Sequence, residues 1–137
     1  MATVRDAMTT GPKTLASSAS VVDASKLMKT EDVGVIPIVD GDRLTAVVTD
    51  RDITINVVAA GKDPQSTTVE DIASKNLITV DPDQNLDEAL RLMARHQVRR
   101  LPVVEEDGRL VGILAQADVA EHADAKRTGE VVGKISQ

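Results

Sequence analysis

The chain carries an internal repeat, and that repeat limits its folding choices more than any other feature. Val4 matches Val69, Asp6 matches Asp71, Thr14 matches Thr79, and Ala24, Leu27 and Met28 match Ala89, Leu92 and Met93, all 65 positions apart. Val33, Pro37 and Val39 match Val98, Pro102 and Val104 at the same offset. After the extra turn residue Gly108 the offset becomes 66, pairing Arg43, Leu44 and Asp52 with Arg109, Leu110 and Asp118. A constant offset with one insertion in a turn marks a true repeat. The period divides the chain into repeat one (1–61), a linker (62–68), repeat two (69–125) and a tail (126–137).

Within each repeat the pattern predicts a short helix, strand, helix, strand, strand and helix. Thr3 and Thr68 are N-cap residues for the opening turns, and Gly11-Pro12 breaks the first. Lys13-Thr14-Leu15 is a short extended piece. Ser20 caps a helix running to about Thr30, with Val21, Ala24, Leu27 and Met28 on one face. Asn85 caps its counterpart, carrying Leu86, Ala89, Leu90 and Met93. Val35 to Val39 is a buried apolar strand, Asp40-Gly41 a hairpin turn, and Leu44 to Thr49 the return strand. A helix then runs from Asp50 towards Gly61. Arg100 to Val104 and Arg109 to Ala115 form the second hairpin, followed by a helix from Gln116 to about Ala125. Pro37 and Pro102 remove ladder donors, so their strands are expected at sheet edges or to start there. The fold class is α+β, with two β-α-β-β-α repeats packed with pseudo-two-fold symmetry. The tail is expected to be partly ordered at best.

Composition bears on what such a unit can do. The chain has no Phe, Trp, Tyr or Cys. An all-aliphatic core leaves a single repeat of this size marginal, so the repeats need each other, and a homodimer is expected. Disulfides, thiolate metal sites and thiol nucleophiles are excluded. The net charge of −6 repels polyanions, and the lack of aromatics removes stacking platforms, which disfavours nucleic acid. No apolar run spans a membrane and no signal core opens the sequence, so the expected location is cytoplasmic. Asp81, Asp83, Asn85 and Asp87 fail as a calcium loop, because Leu86 and Leu92 stand where Gly and Glu are required. His96 and His122 have no partner ligands, so no metal is expected. Phosphate-binding glycine loops, zinc-protease motifs and Ser-His pairs are absent, and the chain is expected not to be an enzyme.

The strands Ile36-Pro37-Ile38 and Leu101-Pro102-Val103, with the segment Val47-Val48-Thr49-Asp50-Arg51-Asp52, carry a resemblance to the cystathionine-β-synthase (CBS) domain. That domain usually occurs as a tandem pair, the Bateman module, and the resemblance covers about 4–61 and 69–125. HQVRRLPV at 96–103 is similar to segments of stand-alone bacterial CBS-pair proteins. The resemblance implies a regulatory module that binds an adenosine-containing ligand (AMP, ATP or S-adenosylmethionine) in the cleft between repeats and signals to a partner protein. In the family, the residues matching Thr49 and Asp52 hold phosphate and ribose. The residues matching Ile36, Pro37 and Ile38, with Lys13, Thr14 and Leu15, frame the base. No cofactor is required.

Each of these positions also has a plainer reading. Thr49 or Asp50 can simply cap a helix, with Asp52 a favourable charge in its first turn. Ile36 and Ile38 can be ordinary core. Arg91, Arg95, His96, Arg99 and Arg100 can be a solvated helix end; alternatively Arg99 or Arg100, or Arg51, contacts ligand phosphates. Repeat two has Ala115, Gln116 and Ala117 where repeat one has Thr49, Asp50 and Arg51, and keeps only Asp118. One full site per chain, at repeat one, is therefore the expectation, or none. The alternative function is a ligand-free structural or stress-response protein acting through protein contacts.

Overall fold

A computed structural model describes residues 2–122. Eleven α-helices and strands are assigned among the described residues. In chain order they are α1 (Val4–Ala7), β1 (Thr9–Thr10), β2 (Leu15–Ala16), α2 (Val21–Glu31), β3 (Val35–Asp40), β4 (Arg43–Thr49), α3 (Asp50–Ile53), α4 (Val69–Ile72), α5 (Leu86–His96), β5 (Arg100–Val104) and β6 (Leu110–Ala115). Residues 116–122 are helical, and the predicted tail lies outside the described residues. The mixed α+β class is present; the expected order departs in detail, because repeat one has two short strands, β1 and β2, between its first two helices, whereas repeat two has only isolated bridges at Ser74 and Val80 there.

Helix starts follow local chemistry. Ser20 Oγ accepts the Asp23 N–H at 3.0 Å, and Asn85 Oδ1 accepts the Asp87 N–H at 2.8 Å. Capping boxes of the form Thr-x-x-Asp open three short helices, from Thr3 to Asp6, Thr49 to Asp52 and Thr68 to Asp71. Each satisfies orphan N–H groups at a helix start. Both long helices end on a left-handed residue, Asp32 and Gln97.

The chain packs as two compact units, and neither coincides with one sequence repeat. The β3–β4 unit comprises Pro12–Ile78 and Asp107–Leu110; the β5–β6 unit comprises, of the described residues, those up to Gly11, Thr79–Glu106 and those from Val111. In the β5–β6 unit the sheet order is β1-β6-β5, with Thr9 opposite Ile113 and Thr10 opposite Gly112. The opening segment of repeat one thus completes the sheet of repeat two. The reciprocal exchange occurs in the β3–β4 unit, where Ser74 forms an antiparallel bridge with Val47, with paired bonds of 2.9 and 3.1 Å. Thr9 and Ser74 are themselves 65 apart.

The sheet of the β3–β4 unit has the order β2-β3-β4, so β3, which contains Pro37, is the middle strand. The edge-strand expectation fails for Pro37. The reason is that β2 is only two residues long and pairs with Ile38 and Val39, ending before it reaches Pro37. Towards β4, Pro37 lies opposite Val47, between the pairs Ile36–Val48 and Ile38–Ala46. Its missing donor therefore leaves no gap in that ladder. Pro102 does lie on an outer strand, β5, where its carbonyl accepts the Val80 N–H at 3.1 Å.

The core of the β3–β4 unit joins Val21, Ala24 and Met28 of α2 to Ile36, Ile38, Ala46 and Val48 of the sheet, with Val57, Val69 and Ile72. In the β5–β6 unit Val4, Leu86, Ala89, Met93, Leu101, Val103 and Leu114 are buried. The helix expected from Asp50 to Gly61 is α-helical only to Ile53 and continues as a π-helix over Thr54–Val58. The wider turn is closed by the Ala59 N–H to the Thr54 carbonyl at 2.8 Å and the Lys62 N–H to the Val57 carbonyl at 2.9 Å. Four of its five residues are β-branched, which weakens α-helical preference. Gly61 ends the segment at φ +71°, in the left-handed conformation that glycine favours after a helix.

Candidate functional site

The candidate site lies where β4 runs into α3. Thr49 has extended backbone as the last residue of the strand and is also the N-cap of the helix. Its N–H donates to Asp52 Oδ2 at 2.9 Å, and its Oγ1 accepts the Asp52 N–H at 3.1 Å. Both residues are half-buried. The plain capping role is therefore realised in full. It does not exhaust the polar atoms, because Oγ1 is used as an acceptor and its O–H remains a donor, while only one carboxylate oxygen of Asp52 is engaged. The capping boxes at Thr3 and Thr68 differ in context, since neither continues a sheet strand, each threonine forms only an isolated bridge, and their bonds are exposed.

The sheet brings the other repeat-one candidates to this unit. Leu15 in β2 pairs with Ile38, so Lys13 and Thr14 run up to the β3 stretch Ile36-Pro37-Ile38, and β4 lies on the far side. Ile36 and Ile38 are each 1% exposed and belong to the core. Their plainer reading describes their side chains. Lys13 and Arg51 are exposed and Thr14 is half-buried.

Arg99, Arg100 and Asp118 belong to the β5–β6 unit. Both arginines are exposed; the Arg99 carbonyl accepts the Gln116 N–H at 2.7 Å. Asp118 Oδ2 accepts the Thr9 hydroxyl at 3.4 Å. The sequence reading missed Thr9. Repeat two lost its hydroxyl at Ala115, and the exchanged β1 strand brings another to the same aspartate. The signal was present in the Thr9–Ser74 pair of hydroxyl residues at the repeat offset. Among the described residues no group of three or more metal-ligating side chains comes together. Among the described residues no helix is long and apolar enough to cross a membrane.

Comparison with known proteins agrees with the architecture. The CBS domain family model matches residues 4–58 and 69–124. The chain belongs to the CBS domain family, as a tandem pair. It is 42% identical over 120 residues to the CBS domain-containing protein YhcV of Bacillus subtilis, covering 88% of this chain and 84% of that protein. It is 42% identical over 123 residues to Hypoxic response protein 1 of Mycobacterium tuberculosis, covering 89% and 85%. Among solved structures it is similar to CBSX2 in complex with AMP, with 30% identity, a TM-score of 0.81 and coverage of 93% and 99%. It is also similar to the CBS domain pair of protein MJ0100 in complex with 5′-methylthioadenosine and S-adenosyl-L-methionine, with 28% identity, a TM-score of 0.80 and coverage of 92% and 98%.

Proposed function

We propose that this chain is a non-enzymatic regulatory module that binds an adenosine-containing ligand at the repeat-one site and signals to a partner protein. The observation that carries this reading is the half-buried Thr49–Asp52 pair, which follows a sheet strand and keeps one hydroxyl donor and one carboxylate oxygen to offer. The similar structures that hold AMP, or 5′-methylthioadenosine and S-adenosylmethionine, support the ligand class. Ribose hydroxyls suit Asp52 and a 5′ substituent suits the Thr49 O–H, while Lys13, Thr14, Leu15 and the Ile36-Pro37-Ile38 backbone frame the base. Arg51 supplies the nearby cation. Arg99, Arg100 and Asp118 give the other unit a second, weaker set. Signalling then requires unequal ligand affinity for two shapes of the module. The proposed location is cytoplasmic and the proposed assembly a homodimer. Ile55 and Val58, 45% and 69% exposed after α3, are apolar surface that a second copy would cover.

The second reading is a ligand-free stress-response protein acting through protein contacts. The completed capping box favours it, since Thr49 and Asp52 have a structural task without any ligand. Similarity to Hypoxic response protein 1 fits its stress-response element. Thermal melts followed by circular dichroism separate the two readings, because the chain lacks aromatic residues for optical work. AMP, ATP and S-adenosylmethionine are added separately. A ligand at 100 times its dissociation constant stabilises by about 2.7 kcal/mol, a midpoint rise of roughly 5 °C or more. Thr49→Ala with Asp52→Ala abolishes the rise when each melt is referred to the same protein without ligand. Absence of any rise at millimolar ligand overturns the first reading in favour of the second.

A further inference from the structure

Oxidisable side chains are scarce in this sequence. It has no Cys, Trp or Tyr, which leaves methionine as the side chain most open to oxidants. Among the described residues, Met28 of α2 and Met93 of α5 are core residues, 9% and 2% exposed, whereas Met8 is half-buried.

Met8 also stands at a joint. Its N–H donates to the Val4 carbonyl at 2.9 Å, closing α1, and the next residue begins β1. Its thioether lies over Gly112 of β6: a Cβ on that glycine would stand 2.8 Å from Met8 Sδ and 3.2 Å from Met8 Cγ. The sulfur thus takes the place of the side chain that Gly112 lacks. β1 consists of Thr9 and Thr10, both exposed, and adds no buried apolar side chain to its pairing with β6. The Met8 side chain supplies that apolar cover.

We infer that Met8 is a site of reversible oxidation, at which a hydroperoxide converts the thioether to a sulfoxide and releases β1 from β6. The sulfur lone pair attacks one peroxide oxygen, and an S–O bond forms as the O–O bond breaks. With hydrogen peroxide, the departing oxygen leaves as hydroxide and takes the proton from the new S–OH group, becoming water. Sulfur is oxidised and the peroxide reduced. The product is polar and chiral, and its oxygen must be hydrogen-bonded or face water. It leaves its seat on Gly112, and β1 keeps only its two-residue ladder. The same release withdraws the Thr9 hydroxyl from Asp118 Oδ2, which it reaches at 3.4 Å. Val4, fully buried, still holds α1, so the opening is local.

The test treats the full chain with hydrogen peroxide and reads it by peptide mapping and hydrogen exchange. Trypsin, cutting after Arg5 and Lys13, puts Met8 in a peptide separate from Met1. In the folded protein, sulfoxide accumulates at Met8 several-fold faster than at Met28 or Met93, and the difference disappears in the urea-unfolded chain. The β6 amides lose protection while the β3 and β4 amides keep theirs. Methionine sulfoxide reductases for both sulfoxide epimers restore the lost protection. Met8→Leu, a volume-conserving swap without an oxidisable sulfur, keeps β6 protection under the same treatment. Met8 oxidised no faster than Met28 and Met93, β6 protection unchanged by the Met8 sulfoxide, an equal loss in peroxide-treated Met8→Leu, or a loss that the reductases do not reverse overturns Met8 as a reversible oxidation site that controls β1.

Discussion

Thr49 and Asp52 hold each other through two reciprocal bonds, with the Thr49 N–H on Asp52 Oδ2 at 2.9 Å and the Asp52 N–H on Thr49 Oγ1 at 3.1 Å. Any substitution made to test ligand binding here also removes a helix cap. Thr49→Ala is expected to cost about 1 kcal/mol of stability with no ligand present. That corresponds to a midpoint drop of roughly 4 °C. Thr49→Ser keeps the hydroxyl and is expected to melt within about 0.5 kcal/mol of wild type, the range of benign substitutions. Equal losses for Ala and Ser, measured by circular dichroism, would show that the hydroxyl does not cap.

The exchanged N-terminal segment predicts a second effect. Gly112 lies opposite Thr10, and a Cβ on it would stand 2.8 Å from both Met8 Sδ and the Thr9 carbonyl oxygen. The Met8 side chain can move aside, but the backbone oxygen cannot move without disturbing the β1–β6 pairing. Gly112→Ala is expected to destabilise by about 1–3 kcal/mol, the range for overpacking. Hydrogen exchange is expected to show the β6 amides losing protection first. Unchanged protection in β6 would mean that β1 is not needed to hold that sheet.

Much of the fold was legible because its signals are local. Ser20, Asn85 and Gly61 act at the positions their chemistry suggested, and both hairpins follow from apolar runs broken by turns. The exchange of opening segments was not legible. Thr9 and Thr10 are exposed and carry no apolar alternation, and their partner strand is about a hundred residues away. Pro37 misled for a related reason, since its tolerance in a middle strand depends on how short β2 is. The candidate site was legible as a place rather than as a role. Thr-x-x-Asp reads alike at Thr3, Thr49 and Thr68, and only the sheet strand leading into Thr49 sets that copy apart.

The aliphatic core predicts large effects from small truncations. Leu101 and Leu114 are 1% and 0% exposed, and no aromatic side chain is available to fill a gap beside them. Leu101→Ala is expected to cost about 2–5 kcal/mol and Ile36→Val about 0.5–1.5 kcal/mol. Urea unfolding with unchanged m-values checks both figures. A Leu101→Ala loss below about 1 kcal/mol would mean that the β5–β6 core collapses freely around the missing atoms.

Acid stability offers a test at Asp6. Its carboxyl is held below the ordinary aspartate value of 3.8, chiefly by the Thr3 backbone N–H, which donates to Oδ2 at 2.9 Å. Burial opposes this, while the Thr3 hydroxyl at 3.3 Å and, to a smaller extent, His122 assist. A carboxyl whose folded value is depressed contributes stability that is present above the unfolded value and lost as pH falls through the folded one. The deficit of Asp6→Asn relative to wild type is therefore expected to be steady from neutral pH to about pH 5, and to shrink as the wild-type carboxyl takes up its proton below about 3.8. Paired urea titrations at neutral and strongly acidic pH measure that difference. A deficit that stays constant, or grows on acidification, would show that the ionised Asp6 carboxylate does not stabilise the first turn of the chain.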